Sequence, residues 1–215
     1  MMLRRVGALA SGLAVAGCSV FGIRTAEEPP FQTVGRVGEV ELRSYAPRLA
    51  AEVVVPGGEV SARGVGFSAL AGYIFRGNRG RETIAMTAPV AQSGAQSGAH
   101  SPETIAMTAP VDQAAGPDGT WRIRFFMPAG RTRESLPEPN DSAVRLVEVP
   151  AQTVAVLRYT GVASPEAVRD ADARLLAGLA GSGWRAVGAP FQWFYDPPWT
   201  LPPLRRNEAV VAVER

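Results

Sequence analysis

The chain has 215 residues, 46% of them hydrophobic, with 22 basic and 20 acidic side chains, one histidine and one cysteine, enough for one domain with a sizeable core. Every basic residue is an arginine, which excludes Schiff-base chemistry and a P-loop lysine, and a single His with a single Cys can build neither a Cys/His zinc cluster nor a Cys-His nucleophile pair. No basic run marks a phosphate-binding surface, so nucleic acid is not an expected partner.

At the start of the chain, Arg4 and Arg5 precede an apolar stretch from Val6 to about Ala16, the charged and apolar regions of an export signal too short for a comfortable membrane span. Val15-Ala16-Gly17-Cys18 resembles the lipobox of bacterial lipoproteins, which makes Cys18 the expected lipidation site; an ordinary cleaved signal is the alternative. Ser19 after the cysteine resembles the pattern sent to an outer membrane. The expected location is therefore the periplasmic face of a bacterial envelope, with 1–18 as signal, 19–30 as a polar, Pro-containing tether and 31–215 as the domain. Loss of Arg4 and Arg5 with the signal leaves 20 basic against 20 acidic side chains, and no intrachain disulfide can stabilise what remains.

Beyond the tether, β-branched runs broken at Ala46-Pro47 predict strands from Val34 to Tyr45 and Leu49 to Val55, the second ended by a Pro-Gly-Gly turn. From Glu59 to Phe75 the period changes, and Phe67, Leu70, Ala71 and Ile74 fall at i, i+3, i+4 and i+7 on one face of a helix. Gly64, Gly66 and Gly72 weaken that helix, each by up to about 1 kcal/mol relative to Ala, unless they let something approach closely. Next come ETIAMTAPVAQ from Glu82 and ETIAMTAPVDQ from Glu103, identical in ten of eleven residues, joined by a small-residue loop that carries His100. The two copies are expected to pair as an antiparallel hairpin, with one of them filling a strand position of the fold. TWRIRFFMP then alternates as a strand, with Trp121, Ile123 and Phe125 on one side and Arg122, Arg124 and Phe126 on the other.

A Pro- and charge-rich loop separates this half from a second with the same order. Strands are predicted at Val144 to Val149 and Thr153 to Tyr159, then a helix over about Ser164 to Ala180. Ser164 is its N-cap, Pro165 its first residue, Val168, Ala171, Leu175, Leu176 and Leu179 its buried face, and Gly181 and Gly183 its end. Strands at Phe191 to Tyr195 and Glu208 to Val213 flank the loop DPPWTLPPLRRN. Strand-strand-helix-strand-strand thus occurs twice, an internal duplication of topology.

These segments resemble the SOUL / haem-binding protein family. The matching pieces stand in order: GYIFRGN (Gly72 to Asn78), IAMTAPV, WRIRFFMP (Trp121 to Pro128), LPEPND (Leu136 to Asp141), VAVLRYTG (Val154 to Gly161), YDPPW (Tyr195 to Trp199) and RRNE (Arg205 to Glu208). The resemblance covers about 31 to 215. It implies an α+β fold: a distorted, barrel-like antiparallel sheet with two helices and pseudo-twofold symmetry, similar to the effector-binding domains of some bacterial regulators. It also implies non-covalent binding of haem or another flat apolar molecule in a groove by the first helix. Apart from that resemblance, the lipobox-like terminus leads us to expect a membrane contact through the lipid anchor, and a monomer is expected.

Carried onto this chain, the resemblance makes the groove residues Arg63, Phe67, Leu70, Ala71 and Ile74. Arg63 can pair with a propionate and Phe67 can lie against a macrocycle; alternatively, Phe67, Leu70 and Ile74 are core and Arg63 is a solvated charge. Phe67 and Ala71 stand where relatives carry Met. Arg205 and Arg206 are further propionate partners or clamps on the preceding loop, and Tyr195 is a phenolate ligand for ferric iron or a packed ring with a satisfied hydroxyl. His100 reads as an exposed loop residue, and Met86, Met107 and Met127 read as core fillers that are also thioether candidates. A haem-degrading or iron-releasing enzyme and a ligand-free envelope interaction domain remain the rival functions.

Overall fold

The computed structural model describes residues 26–75, 77–79 and 105–215. Its first strands, β1 (Gln32–Val37) and β2 (Val40–Tyr45), are joined by a two-residue turn in which Gly38 has φ +57. The single strand expected over Val34 to Tyr45 is therefore a hairpin, since positive φ at the first turn position suits glycine and matches the strand twist. β3 (Arg48–Pro56), α1 (Glu59–Ile74), β4 (Asn78–Arg79), β5 (Val111–Ala115) and β6 (Thr120–Phe126) follow. The second half runs through β7 (Glu138–Pro139), β8 (Arg145–Val149), β9 (Gln152–Tyr159), α2 (Pro165–Leu179), β10 (Arg185–Phe194) and β11 (Asn207–Glu214).

Nine strands form one antiparallel sheet in the order β1-β2-β9-β11-β10-β5-β6-β3-β8, and β4 pairs with β7. Setting β1 aside, the order reads the same from both ends once β2 is exchanged for β8, β3 for β9, β5 for β10 and β6 for β11. The registers agree residue by residue: Ile123 stands between Val53 and Gln113 as Ala209 stands between Leu157 and Gln192, and Gln113 faces Gln192 at the pseudo-twofold axis. The fold is thus α+β with the expected duplication, but the sheet is not closed into a barrel. Its edges are β1 and β8. Each half already buries one apolar strand face beneath its own helix, so closure is not needed to hide it.

Both helices lie on the same sheet face. α1 packs on Ala51, Val53, Val55, Ile123 and Phe125, and α2 on Leu42, Ala155, Leu157, Ala209 and Val211. A third cluster, with Tyr45, Ala50, Phe126, Val154, Val156, Trp193 and Tyr195, fills the helix-free face. The predicted alternation of β6 is what divides Ile123 and Phe125 from Phe126. Over that third cluster runs the start of the described chain: Ala26 packs against it, Ala109 N donates to Glu27 O at 2.9 Å, and the Phe31 and Tyr45 rings meet at 5.4 Å.

α2 follows its sequence signals closely. The Ser164 hydroxyl accepts from Ala167 N at 3.3 Å, Pro165 opens the helix, and Val168, Ala171, Leu175 and Leu179 are buried. Leu176, expected on that face, is 41% exposed. The second IAMTAPV copy enters the sheet only at Val111, and β5 is flanked by β10 and β6, so those strands, not a duplicate hairpin, satisfy its ladder. The first copy lies outside the described residues, as do Cys18, Met86 and His100.

Candidate functional site

Helix α1 has an unusual residue plan: EVSARGVGFSALAGYI holds only two charged side chains in 16 residues, Glu59 and Arg63, both near its start. Gly58 caps it without a side chain, Ser61 Oγ donates to Gly58 O at 2.9 Å, and Glu59 suits the positive end of the helix dipole. At the other end Phe75 N donates to Ala71 O and Gly77 N to Gly72 O. The inward face is Ala62, Gly66, Leu70, Tyr73 and Ile74. Gly66 fixes that face: a Cβ there would stand 2.4 Å from Ile123 Cγ1, so the helix lies on the sheet at a distance only glycine allows. The close approach foreseen for the helix glycines is thus made by the protein's own sheet.

Because the inward face centres on Gly66, the expected stripe divides. Leu70 and Ile74 are fully buried in the first core cluster, Ala71 is half-buried beside it, and Phe67 is 40% exposed with its edge on the Phe125 ring at 5.3 Å. Val60 and Val65 are exposed on the same helix, and a Cβ on Gly64 or Gly72 would meet nothing within 4 Å. Ser68 turns its hydroxyl back onto Gly64 O at 3.0 Å, leaving the outer face with little polar character. From Val60 to Gly72 this face runs about 18 Å at about 1.5 Å per residue. Helices apolar on every side are normally covered on every side.

Arg63 stands at one end of this face and is already engaged. Its Nε donates to Gln113 Oε1 at 2.7 Å, Nη1 to Ala163 O at 3.3 Å and Nη2 to Glu59 Oε1 at 3.2 Å, and its guanidinium lies 4.0 Å from the centre of the Phe194 ring. Burial pulls its pKa below the usual arginine value despite Glu59. Gln113 completes the group by donating to Glu59 O at 2.9 Å. Across the axis its counterpart Gln192 accepts from the Tyr159 hydroxyl at 2.9 Å and donates to Asp172 Oδ1 at 2.7 Å. Burial pushes Asp172 up to about 6, with Glu59 adding to the shift and Gln192 opposing it. Neither glutamine was singled out in the sequence. The available signal was a polar residue within each apolar strand at symmetric places.

Tyr195, Arg205 and Arg206 are not gathered at α1. Phe194 and Tyr195 point to opposite faces of the sheet, and Tyr195 lies in the helix-free cluster. Its hydroxyl donates to Glu208 Oε2 at 2.7 Å, the Arg206 guanidinium covers its ring at 3.7 Å, and burial together with Glu208 holds the phenol well above its usual pKa, as a neutral donor rather than a phenolate. Arg206 also binds Glu208 and Glu28 at 2.9 and 2.8 Å. Arg43 completes the network by donating to Glu208 at 2.9 Å. Burial raises Glu208, but the Arg43 hydrogen bonds and the Arg43 and Arg206 charges outweigh it and hold the carboxyl below the ordinary range. Arg205 pins the Pro-rich loop, with Nε on Thr200 O at 2.7 Å and Nη2 on Pro198 O. Met127 is buried and Met107 exposed. Among the described residues, no group of three or more His, Cys, Asp or Glu side chains is arranged to hold a metal.

Nearby on the same face, Arg48 is missed by sequence reasoning: its guanidinium nitrogens are buried without a hydrogen-bond partner among the described residues, lying 4.1 Å from the Tyr45 ring and 4.4 Å from Phe126. Aromatic faces compensate part of that charge. Beside α2 a recess of about 510 Å³ is lined by Arg158, Tyr159, Thr160, Asp170 and Arg174 together with Ala167 and Ala171, a more charged lining than the outer face of α1.

Two ββαββ halves sharing an open sheet define the class of domain. Among solved structures, the EcmrR C-terminal domain is similar at TM-score 0.56 and 12% identity, covering 86% of this chain and 98% of that one. A protein described as a hydrolase and an uncharacterised conserved protein, both from Listeria innocua, are similar at TM-scores 0.53 and 0.54 and identities of 13% and 14%, covering 84% and 82% of this chain and 94% and 92% of theirs. These likenesses are of fold. No curated protein sequence matches the chain. The family model for SOUL heme-binding protein matches residues 26–212, and the chain belongs to that family.

Proposed function

We propose that this protein binds haem, or a closely similar flat tetrapyrrole, non-covalently on the outer face of α1. The carrying observation is that face itself: Val60, Val65 and Phe67 exposed, Gly64 and Gly72 leaving open space, and a single charged pair, Glu59 with Arg63, at one end. An apolar plate with carboxylates along one edge fits that distribution. Phe67 supplies an aromatic surface for the plate, and Arg63 supplies a fork for a carboxylate that displaces Glu59. Haem would contribute its redox-active iron and visible absorption; the protein contributes shape and charge, and membership of a heme-binding family supports the choice of ligand.

Tyr195 takes no part in this reading, because its hydroxyl is committed to Glu208 beneath Arg206. In the same proposal the protein is exported and held at the periplasmic face of an envelope through Cys18, as its lipobox-like sequence suggests. Titration of the chain with haemin, followed by visible absorption, tests the ligand. A Soret shift saturating near one equivalent is expected, and its absence removes haem from the account. Conversion of haemin to a ring-opened product would favour a haem-processing activity instead.

A further inference from the structure

We infer that the loop from Asp196 to Arg206 is a membrane-contact surface that seats the domain on a lipid bilayer. The loop exposes Trp199 at 62%, Leu201 at 47% and Leu204, and Val162 is exposed beside it, where Gly161 N donates to Pro202 O at 3.0 Å. Four large apolar side chains at one end of the sheet are costly to leave in water. The loop is also held rigid. Pro202–Leu204 forms a 3-10 turn, Arg205 ties Thr200 O and Pro198 O, and Asp196 Oδ2 accepts from Arg206 N at 2.7 Å. A fixed apolar apex with Trp at its tip is the chemistry of an interfacial anchor.

The occupant is argued from where the chain leads. Glu28 pairs with Arg206 at the base of this loop, and Ala26 packs against the cluster that includes Tyr195. Cys18 precedes Ala26 by eight residues, a span of at most about 29 Å for an extended chain. An acyl group on Cys18 would therefore bring the bilayer to the end of the domain that carries Trp199. Among the described residues no helix is long and apolar enough to cross a membrane. This inference rests on the lipid-anchor reading for its orientation, and on the exposed loop alone for its affinity.

The test uses the exported form beginning at residue 18 with Cys18→Ser, mixed with vesicles of phosphatidylethanolamine and phosphatidylglycerol, some carrying brominated acyl chains. Quenching of tryptophan emission that vanishes in Trp199→Phe is expected, with Trp199→Ser/Leu201→Ser lowering vesicle flotation roughly tenfold while the circular dichroism stays unchanged. No quenching, together with flotation indifferent to the double substitution, overturns the surface. Concentration-dependent self-association abolished by the same substitutions, without quenching, assigns the patch to a second copy and also overturns it. Mass spectrometry of the membrane-extracted wild-type chain reads acylation of Cys18 separately, so a failed anchor and a failed surface give different results.

Discussion

The two halves share topology and register, yet they treat their helices differently. α2 follows the usual economy of a surface helix: Val168, Ala171, Leu175 and Leu179 face the sheet, while Arg169 pairs with Glu166 at 3.2 Å and Arg174 with Glu39 at 3.1 Å on the solvent side. α1 buries an equivalent face and then presents Val60, Val65 and Phe67 outward with two open glycines. Duplication supplied two equivalent places against one sheet, and only the first leaves an apolar surface that its own packing does not use. In the proposed reading, this difference gives the first half the ligand surface and the second the support.

Breaking the support should have the largest effect. Glu208 is buried and accepts from Arg43, Arg206 and Tyr195, so Glu208→Ala removes the acceptor those three share on the helix-free face, leaving Arg43 with Glu41, Arg206 with Glu28 and the Tyr195 hydroxyl without its carboxylate. Urea unfolding should show a loss of about 3 to 5 kcal/mol. Since Glu208 is not on the outer face of α1, the protein that remains folded should bind ligand normally. Next in size is Gly66→Ala, whose Cβ meets Ile123 at 2.4 Å; it should cost about 1 to 3 kcal/mol through overpacking, read as a lower midpoint of thermal unfolding. In α2, Gly178 also approaches the sheet, where a Cβ would stand 2.8 Å from Val40 Cγ2; it meets one close atom there against the three of Ile123 at Gly66, so Gly178→Ala should cost less.

The smallest effect concerns pH. Asp172 is pushed up to about 6 from 3.8, so the folded protein holds this proton more tightly than the unfolded chain does. Its contribution to stability is therefore greatest below the unfolded value, declines as pH rises from about 4 to about 6, and is flat above. Asp172→Asn keeps an oxygen acceptor for Gln192 and should raise stability at neutral pH by roughly 1 kcal/mol, allowing for solvent screening. Unfolding curves at several pH values should lose their slope in that window. A slope that survives the substitution places the linkage elsewhere.

Much of this architecture was legible in the sequence because its signals are local. The Ser164 cap, the Pro165 start and the 3.6-residue spacing of α2 each describe one helix turn, and the alternation of TWRIRFF assigns β6 to its two faces without reference to any neighbour. The inward face of α1 was displaced because Gly66 has no side chain to register on an apolar count, although it makes the closest contact with the sheet. The Gln113 and Gln192 pair at the axis joins residues 79 apart and the Arg43-Glu208 pair residues 165 apart, and the open-sheet order likewise depends on pairings such as Val53 with Ile123 that no local period reports. RRNE was visible as a motif, but whether its arginines faced a ligand or a buried glutamate depended on the fold. The doubled ETIAMTAPV was part of the family resemblance, yet among the described residues of its second copy only Val111 belongs to a named strand.

The central claim is that the outer face of α1, and not that of α2, holds the ligand. Phe67 and Leu176 offer a matched pair, 40% and 41% exposed on equivalent helices. Haemin titration of Phe67→Glu and Leu176→Glu, monitored at the Soret band, tests it most directly. The account predicts that Phe67→Glu weakens binding about tenfold or more while Leu176→Glu binds as the wild type does. Equal affinities in the two variants, or a loss confined to Leu176→Glu, would contradict it.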